Sequence, residues 1–108
     1  KNKRFIQRTF TSREILHSKK VLDKTNFFSK RFAAKESLAK ALGTGFRKKL
    51  TFKDIEILND KLGKPYYNVN HKIKKLVKTK KNINKFQLFL SISDEKDYSV
   101  AFTILEKI

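Results

Sequence analysis

Hydrophobic and polar positions change their period along this chain, and the changes divide it into helical and extended stretches. Between Lys1 and Phe10, the apolar residues Phe5, Ile6 and Phe10 stand among Lys1, Lys3, Arg4 and Arg8, the spacing of a short amphipathic helix. Thr11-Ser12-Arg13-Glu14 has the form of a capping box, in which Thr11 accepts from the Glu14 amide and Glu14 reaches back to the Thr11 amide. A second helix should start there. Ile15, Leu16, Lys19 and Val21 extend no clean stripe, so this helix is expected to be short, with Asp23 to Asn26 as a connector. His17, between Leu16 and Ser18, has no evident partner and is assigned a surface position without a role.

Arg31 to Phe46 contains the strongest helical stretch. Ala, Leu, Lys and Glu fill Phe32 to Leu42 without Pro, Gly or a β-branched residue, and Gly43 supplies the stop. Ala34, Leu38, Ala41 and Leu42 share one side at helical spacing, while Glu36 and Lys40 project together from roughly the opposite side. Spacing alone favours an ordinary surface ion pair. Gly43-Thr44-Gly45 then gives a turn whose backbone amides can approach a phosphate closely, followed by the cations Arg47, Lys48 and Lys49; an ordinary helix-to-strand connection has the same form.

The second half of the chain shifts to alternation. Thr51 to Leu58 reads as a strand, Asn59-Asp60 and Gly63 as a turn, and Tyr66 to Val69 as its hairpin partner. Ile73, Leu76 and Val77 place an amphipathic helix over His71 to Lys81 with a very positive outer face. Phe86 to Ile92 and Tyr98 to Leu105 alternate around the polar stretch Ser93 to Asp97, which predicts a closing antiparallel hairpin.

At 108 residues with 39% hydrophobic composition, the chain suits one domain over residues 1–108. No apolar run approaches the roughly 20 residues that span a bilayer. The start, Lys1-Asn2-Lys3-Arg4, lacks the apolar core of a signal peptide, so a soluble, cytoplasmic protein without membrane contact is expected. The absence of Cys excludes disulfides, thiolate chemistry and Cys-based zinc sites. Charge changes the picture more: 27 Lys and Arg against 10 Asp and Glu give a formal +17, a field that attracts polyanions. Nucleic acid, an acidic protein and a phosphate-rich small molecule all fit it, as does a mere compositional bias toward Lys.

Motif blocks choose among these. Phe32-Ala33-Ala34-Lys35-Glu36-Ser37-Leu38-Ala39-Lys40-Ala41-Leu42-Gly43-Thr44-Gly45, followed by Asp54-Ile55-Glu56-Ile57, Gly63-Lys64-Pro65 and Leu90-Ser91-Ile92-Ser93-Asp94, resembles the holo-acyl-carrier-protein synthases, which are 4'-phosphopantetheinyl transferases. The resemblance runs from Phe5 to Glu106; its first block is specific, the later ones individually weak. It implies an α+β fold, the 4'-phosphopantetheinyl transferase fold, with an antiparallel sheet against a long central helix and subunits assembled as a trimer. Each active site would lie between neighbouring subunits. It also implies transfer of 4'-phosphopantetheine from coenzyme A to a serine of apo-acyl carrier protein in fatty acid biosynthesis, releasing adenosine 3',5'-bisphosphate.

The same resemblance implies site roles. Glu36 becomes a magnesium ligand, and Lys40 stabilises charge developing on the phosphate or the leaving group. The base is left open between Glu36 and a metal-held water. Arg31, Gly43, Thr44, Gly45, Lys64, Pro65 and Ser93 become coenzyme A contacts, with Lys3, Arg4 and Arg8 candidates for docking the acidic carrier protein. Relatives normally begin with a strand carrying a Gly-x-Asp-Ile-Val-type motif whose Asp is a second magnesium ligand, and this strand is not found ahead of Lys1. Many relatives have His where this chain has Asp94, which weakens a cationic role there. The rival expectation is a nucleic-acid-binding module, with steep salt dependence and tolerance of Glu36 loss. A third is an interaction domain that trimerises and binds coenzyme A without turnover. Generic RNA binding gives no reason for the Glu36–Lys40 pair or the Gly-Thr-Gly turn, so transferase is the first reading and nucleic acid a disfavoured partner.

Overall fold

A computed structural model of the chain describes residues 3–43 and 50–108. Three helices come first: α1 (Lys3–Thr9), α2 (Ser12–Ser18) and α3 (Lys24–Leu42). The capping box forms as read, Thr11 Oγ1 accepting from the Glu14 amide at 3.2 Å and Glu14 Oε1 from the Thr11 amide at 2.9 Å. Helix α3 begins earlier than expected, so Lys24 to Asn26 is its first turn and not a connector. Asp23 caps it, its side chain accepting from the Asn26 amide at 3.0 Å. Thr25, Asn26, Phe27 and Phe28 are weak helix formers, and packing overrides them. Phe28 lies 4.7 Å from the Phe10 ring and Phe27 5.0 Å from His17. Gly43 stops the helix as expected, in the left-handed region at φ 78°, where a Cβ would be strained.

The stretch read as a long strand divides. Thr51 and Asp54 close a 3-10 turn over Phe52–Asp54, the Thr51 amide donating to Asp54 Oδ2 at 2.7 Å, and only then does β1 (Glu56–Asn59) run. It pairs antiparallel with β2 (Pro65–Asn68), in register Glu56 to Asn68 and Asn59 to Pro65. Helix α4 (His71–Lys81) follows as predicted, capped by Asn70, and then β3 (Phe86–Asp94) and β4 (Ser99–Lys107), in register Phe86 to Lys107. Ser93 and Asp94, expected in the turn, continue β3.

The architecture is α+β, as the resemblance implies, with the antiparallel strands arranged as two two-stranded sheets, β2 of the first beside β3 of the second. The core gathers Ala34, Leu38, Ala39 and Leu42 of α3 with Leu50, Ile55, Ile57, Tyr67, Leu90 and, from α4, Ile73, Leu76 and Val77. A chain of rings fastens α1 to the same helix: Phe5 meets Phe32 at 5.9 Å, and Phe32 stacks on Phe52 at 5.1 Å. Together these contacts hold α3 along its length, so a side chain on its open face has a firm base.

Candidate active site

Helix α3 offers two faces. On the open one, Glu36 and Lys40 are exposed and share the surface one turn apart. Among the described residues neither has an ion-pair or hydrogen-bond partner, so the ion pair that their spacing allows is not formed.

The buried face carries charge of its own. Lys35 is fully enclosed, and its ammonium donates to Glu14 Oε1 at 2.8 Å, to the Phe52 carbonyl at 2.9 Å and to the Ile55 carbonyl. These use all three of its donors. Glu14 Oε2 accepts from the Ile57 amide at 3.0 Å. Burial pulls the Lys35 ammonium below the ordinary lysine range, against the opposing pull of the Glu14 carboxylate. Arg31 also lies on this side, only 4% exposed, with its guanidinium donating to Asn59 Oδ1, 3.4 Å from His17 Nδ1 and 4.0 Å from Glu14 Oε2. His17 is thus not the partnerless surface residue that the sequence suggested; it packs edge-on against Phe27 and touches Arg31. His17 and Asn59, with Arg13, Lys20 and Tyr66, line a cavity of about 320 Å³ between α2 and the first hairpin.

On the far side of Glu36, Tyr67 donates from its hydroxyl to the Ala34 carbonyl at 2.6 Å. The same hydroxyl meets Thr103 Oγ1 at 2.6 Å, and Thr103 donates to Ser37 Oγ at 2.7 Å. Burial, eased by Thr103, pushes the Tyr67 phenol up to about 12. Neither Lys35, Glu14, Tyr67 nor Thr103 was singled out in the sequence as a site residue. A signal existed for Lys35 alone, a cation at helical spacing within the arc Ala34, Leu38, Ala39 and Leu42.

The remaining candidates are spread over the fold. Lys64 follows Gly63, at φ 87°, in the β1–β2 loop, which Asp60 organises by accepting from the Leu62 and Lys64 amides at 2.9 and 2.8 Å, and Pro65 is the first residue of β2. Ser93, exposed on β3, donates to Glu95 at 3.1 Å. Asp94 accepts from Asn26 at 2.9 Å and pairs with Lys30 at 3.6 Å, so it ties the second hairpin to the start of α3; those bonds hold its carboxyl below the usual range. Lys3, Arg4 and Arg8 are exposed on α1. Thr44, Gly45 and the cations Arg47, Lys48 and Lys49 lie outside the described residues. No hydrogen bond or ion pair joins Glu36 to Lys64, Pro65 or Ser93 among the described residues.

Glu36 fits magnesium in one respect. It is a hard oxygen donor, exposed and without a partner among the described residues, and magnesium is commonly held through one or two carboxylates together with substrate phosphates. Among the described residues, no group of three or more His, Cys, Asp or Glu side chains would cage an ion.

Residues 1–103 match the family model for the 4'-phosphopantetheinyl transferase superfamily. The chain belongs to that superfamily. A holo-[acyl-carrier-protein] synthase of Pelagibacter ubique is 61% identical over 107 residues, which are 99% of this chain and 84% of that protein. Among solved structures, the synthase of Neisseria meningitidis superposes with a TM-score of 0.85 at 38% identity, over 98% of this chain and 82% of its own. That of Bacillus anthracis, solved in complex with coenzyme A (3',5'-ADP), superposes with a TM-score of 0.79 at 34% identity, over 97% of this chain and 82% of its own. The transferase fold read from the motifs is therefore the fold of this chain. Among the described residues, no helix is long and apolar enough to cross a membrane.

Proposed function

We propose that this chain transfers 4'-phosphopantetheine from coenzyme A to a serine hydroxyl of apo-acyl carrier protein, as holo-acyl-carrier-protein synthases do. The serine oxygen forms a bond to the phosphorus that bears pantetheine, and the bond from that phosphorus to the bridging oxygen breaks. The serine proton passes to a base, Glu36 or a water, and the products are the carrier with 4'-phosphopantetheine esterified to its serine and adenosine 3',5'-bisphosphate. The observation that carries the reading is the Glu36–Lys40 face: two opposite charges, exposed and without a partner among the described residues, on the one helix held from several sides.

Glu36 is the protein's magnesium ligand in this reading, and a second carboxylate comes from a strand of the kind that precedes this region in relatives. A magnesium ion held there would supply charge neutralisation to the transferring phosphate. Lys40 places its ammonium where negative charge builds on the transferring phosphate and leaving group. Gly43 to Gly45, Lys64, Pro65, Ser93 and Arg31 contribute coenzyme A contacts, while Lys3, Arg4 and Arg8 receive the acidic carrier.

Self-association as a trimer belongs to the same proposal. The outward face of the β3–β4 hairpin carries Phe89, Phe102 and Ile104, which are 45%, 69% and 61% exposed, with Phe89 opposite Ile104 in register. Such an apolar sheet face calls for a covering surface. In a trimer of this kind each active site would lie between neighbouring copies, as the resemblance implies.

The test is transfer of labelled phosphopantetheine from coenzyme A to an apo-acyl carrier protein. It compares Lys1–Ile108 with the same chain preceded by a strand bearing the family's Asp, each with magnesium and with chelator. Magnesium-dependent labelling by either form supports the reading. No labelling by either form, alongside steep salt-dependent binding to RNA, would move the function to nucleic acid.

A further inference from the structure

We propose that the buried Lys35–Glu14 pair is a positioning device for the reaction: it sets the rotation of α3 and thereby the direction of the Glu36 carboxylate. The proposal rests on the reading of Glu36 given above.

Lys35 immediately precedes Glu36, so their side chains leave the helix about 100° apart. Whatever fixes the azimuth of one fixes the other. The fixing is done by directional bonds from three elements. The Lys35 ammonium is held by α2 through Glu14, at 2.8 Å, and by the Phe52 and Ile55 carbonyls at either end of the 3-10 turn. Glu14 is fixed in turn, with the Thr11 amide on Oε1 at 2.9 Å and the Ile57 amide of β1 on Oε2 at 3.0 Å. The pair therefore sits where α2, β1 and α3 meet. Across the helix, Tyr67 holds the Ala34 carbonyl and Thr103 holds Ser37. Glu36 is bracketed by anchors at residues 34, 35 and 37, while itself making none among the described residues.

Stability alone gives a poor reason for this arrangement. Apolar side chains of similar volume in place of a buried ion pair are often neutral or stabilising. An apolar side chain, however, packs without preferred direction, whereas an ammonium whose three donors each meet an acceptor is tied to one place in the fold. A carboxylate that must meet a metal and a diphosphate needs its angle held to within roughly 10–20°. Lys35 and Glu14 touch neither substrate nor metal, and they act through Glu36.

The deciding experiment uses Lys35→Met combined with Glu14→Gln, in whichever form of the chain performs the transfer above. It records the melting temperature, kcat, KM for coenzyme A and, with Mn2+ as a spectroscopic probe, metal affinity in the presence of coenzyme A. The expected result, with kinetics recorded well below the unfolding transition, is a melting temperature lowered as the Phe52 and Ile55 carbonyls lose their donor, kcat lowered at least tenfold, KM changed less than threefold and Mn2+ affinity weakened at least fivefold. A folded variant with kcat and Mn2+ affinity within twofold of the parent overturns the proposal, whatever its melting temperature. Should the double variant not fold, Glu14→Gln alone is read by the same limits. If Glu36→Gln itself leaves transfer and Mn2+ affinity intact, it is the reading of Glu36 that fails; if Glu36→Gln abolishes both while these variants change neither, only the positioning role fails.

Discussion

Helix α3 contributes to two Glu and Lys partnerships built from the same chemistry and put to opposite uses. Lys35 and Glu14 meet at 2.8 Å with no exposure on either side chain, and every donor and acceptor is engaged. Glu36 and Lys40, a few residues along, face solvent and leave each other unpaired. Charge type does not separate the two, and sequence spacing favours the second pair, which sits one turn apart on one helix, over the first, 21 residues apart. Burial separates them. An enclosed pair must satisfy itself, because an unpaired charge there costs several kcal/mol. An exposed pair can stay open, because water satisfies it until a ligand arrives.

The sharpest way to break this contrast is on the buried side. Glu14→Ala leaves Lys35 charged without its carboxylate and removes an acceptor from the Thr11 and Ile57 amides. A loss of about 3–5 kcal/mol is expected. For a domain of this size that lowers the melting temperature by roughly 15 °C or more, as calorimetry would show. The open side should respond in rate and hardly in stability. Lys40→Met is expected to lower kcat roughly a hundredfold, the scale of losing one charge-stabilising group. Its urea midpoint should stay within the roughly 0.5 kcal/mol typical of surface changes.

Smaller effects refine the boundary between the two. Tyr67→Phe removes the hydroxyl that donates to Ala34 and meets Thr103, and it should destabilise by about 1–2 kcal/mol in denaturant titration. Glu56 gives the smallest and most specific signal. Burial pushes its carboxyl up, but hydrogen bonds from Thr11 and Asn68 and the nearby Arg13 win, and hold it below its usual 4.5. Because the folded pKa is depressed, the carboxylate's contribution is present in full above pH 4.5 and is lost as pH falls through the folded value. Glu56→Gln should therefore flatten the acid limb of a stability-against-pH curve. An acid limb as steep as the parent's would show that Glu56 is not one of its sources.

Much of this was legible in the chain. The capping box at Thr11, the stop at Gly43, helix α4 and both hairpins follow from local chemistry, which acts over a few residues and leaves a pattern there. The open face of α3 was legible for the same reason. What local pattern could not show is what distant segments decide. Phe27 and Phe28 extend α3 because Phe10 and His17 receive them, and the local trace of that start is Asp23, whose N-cap role was not read from the sequence. Lys35 reads as one more lysine among many until Glu14 and the carbonyls of the 3-10 turn close over it. Arg31, proposed for coenzyme A from resemblance, meets Asn59 and His17 instead within the chain, contacts set by tertiary packing.

The central claim is that the open pair does chemistry while the buried pair holds it in place, and Glu36→Gln tests it most directly. That change keeps the shape of the side chain and removes its charge. Measured side by side, phosphopantetheine transfer should fall by roughly 10²–10⁴, the scale of losing a positioned acid–base or ligating group. The melting temperature should move by no more than about 2 °C, since an exposed and unpaired side chain supports little. Transfer at the parent rate would contradict the account, and so would a rate loss that merely follows a collapse in stability.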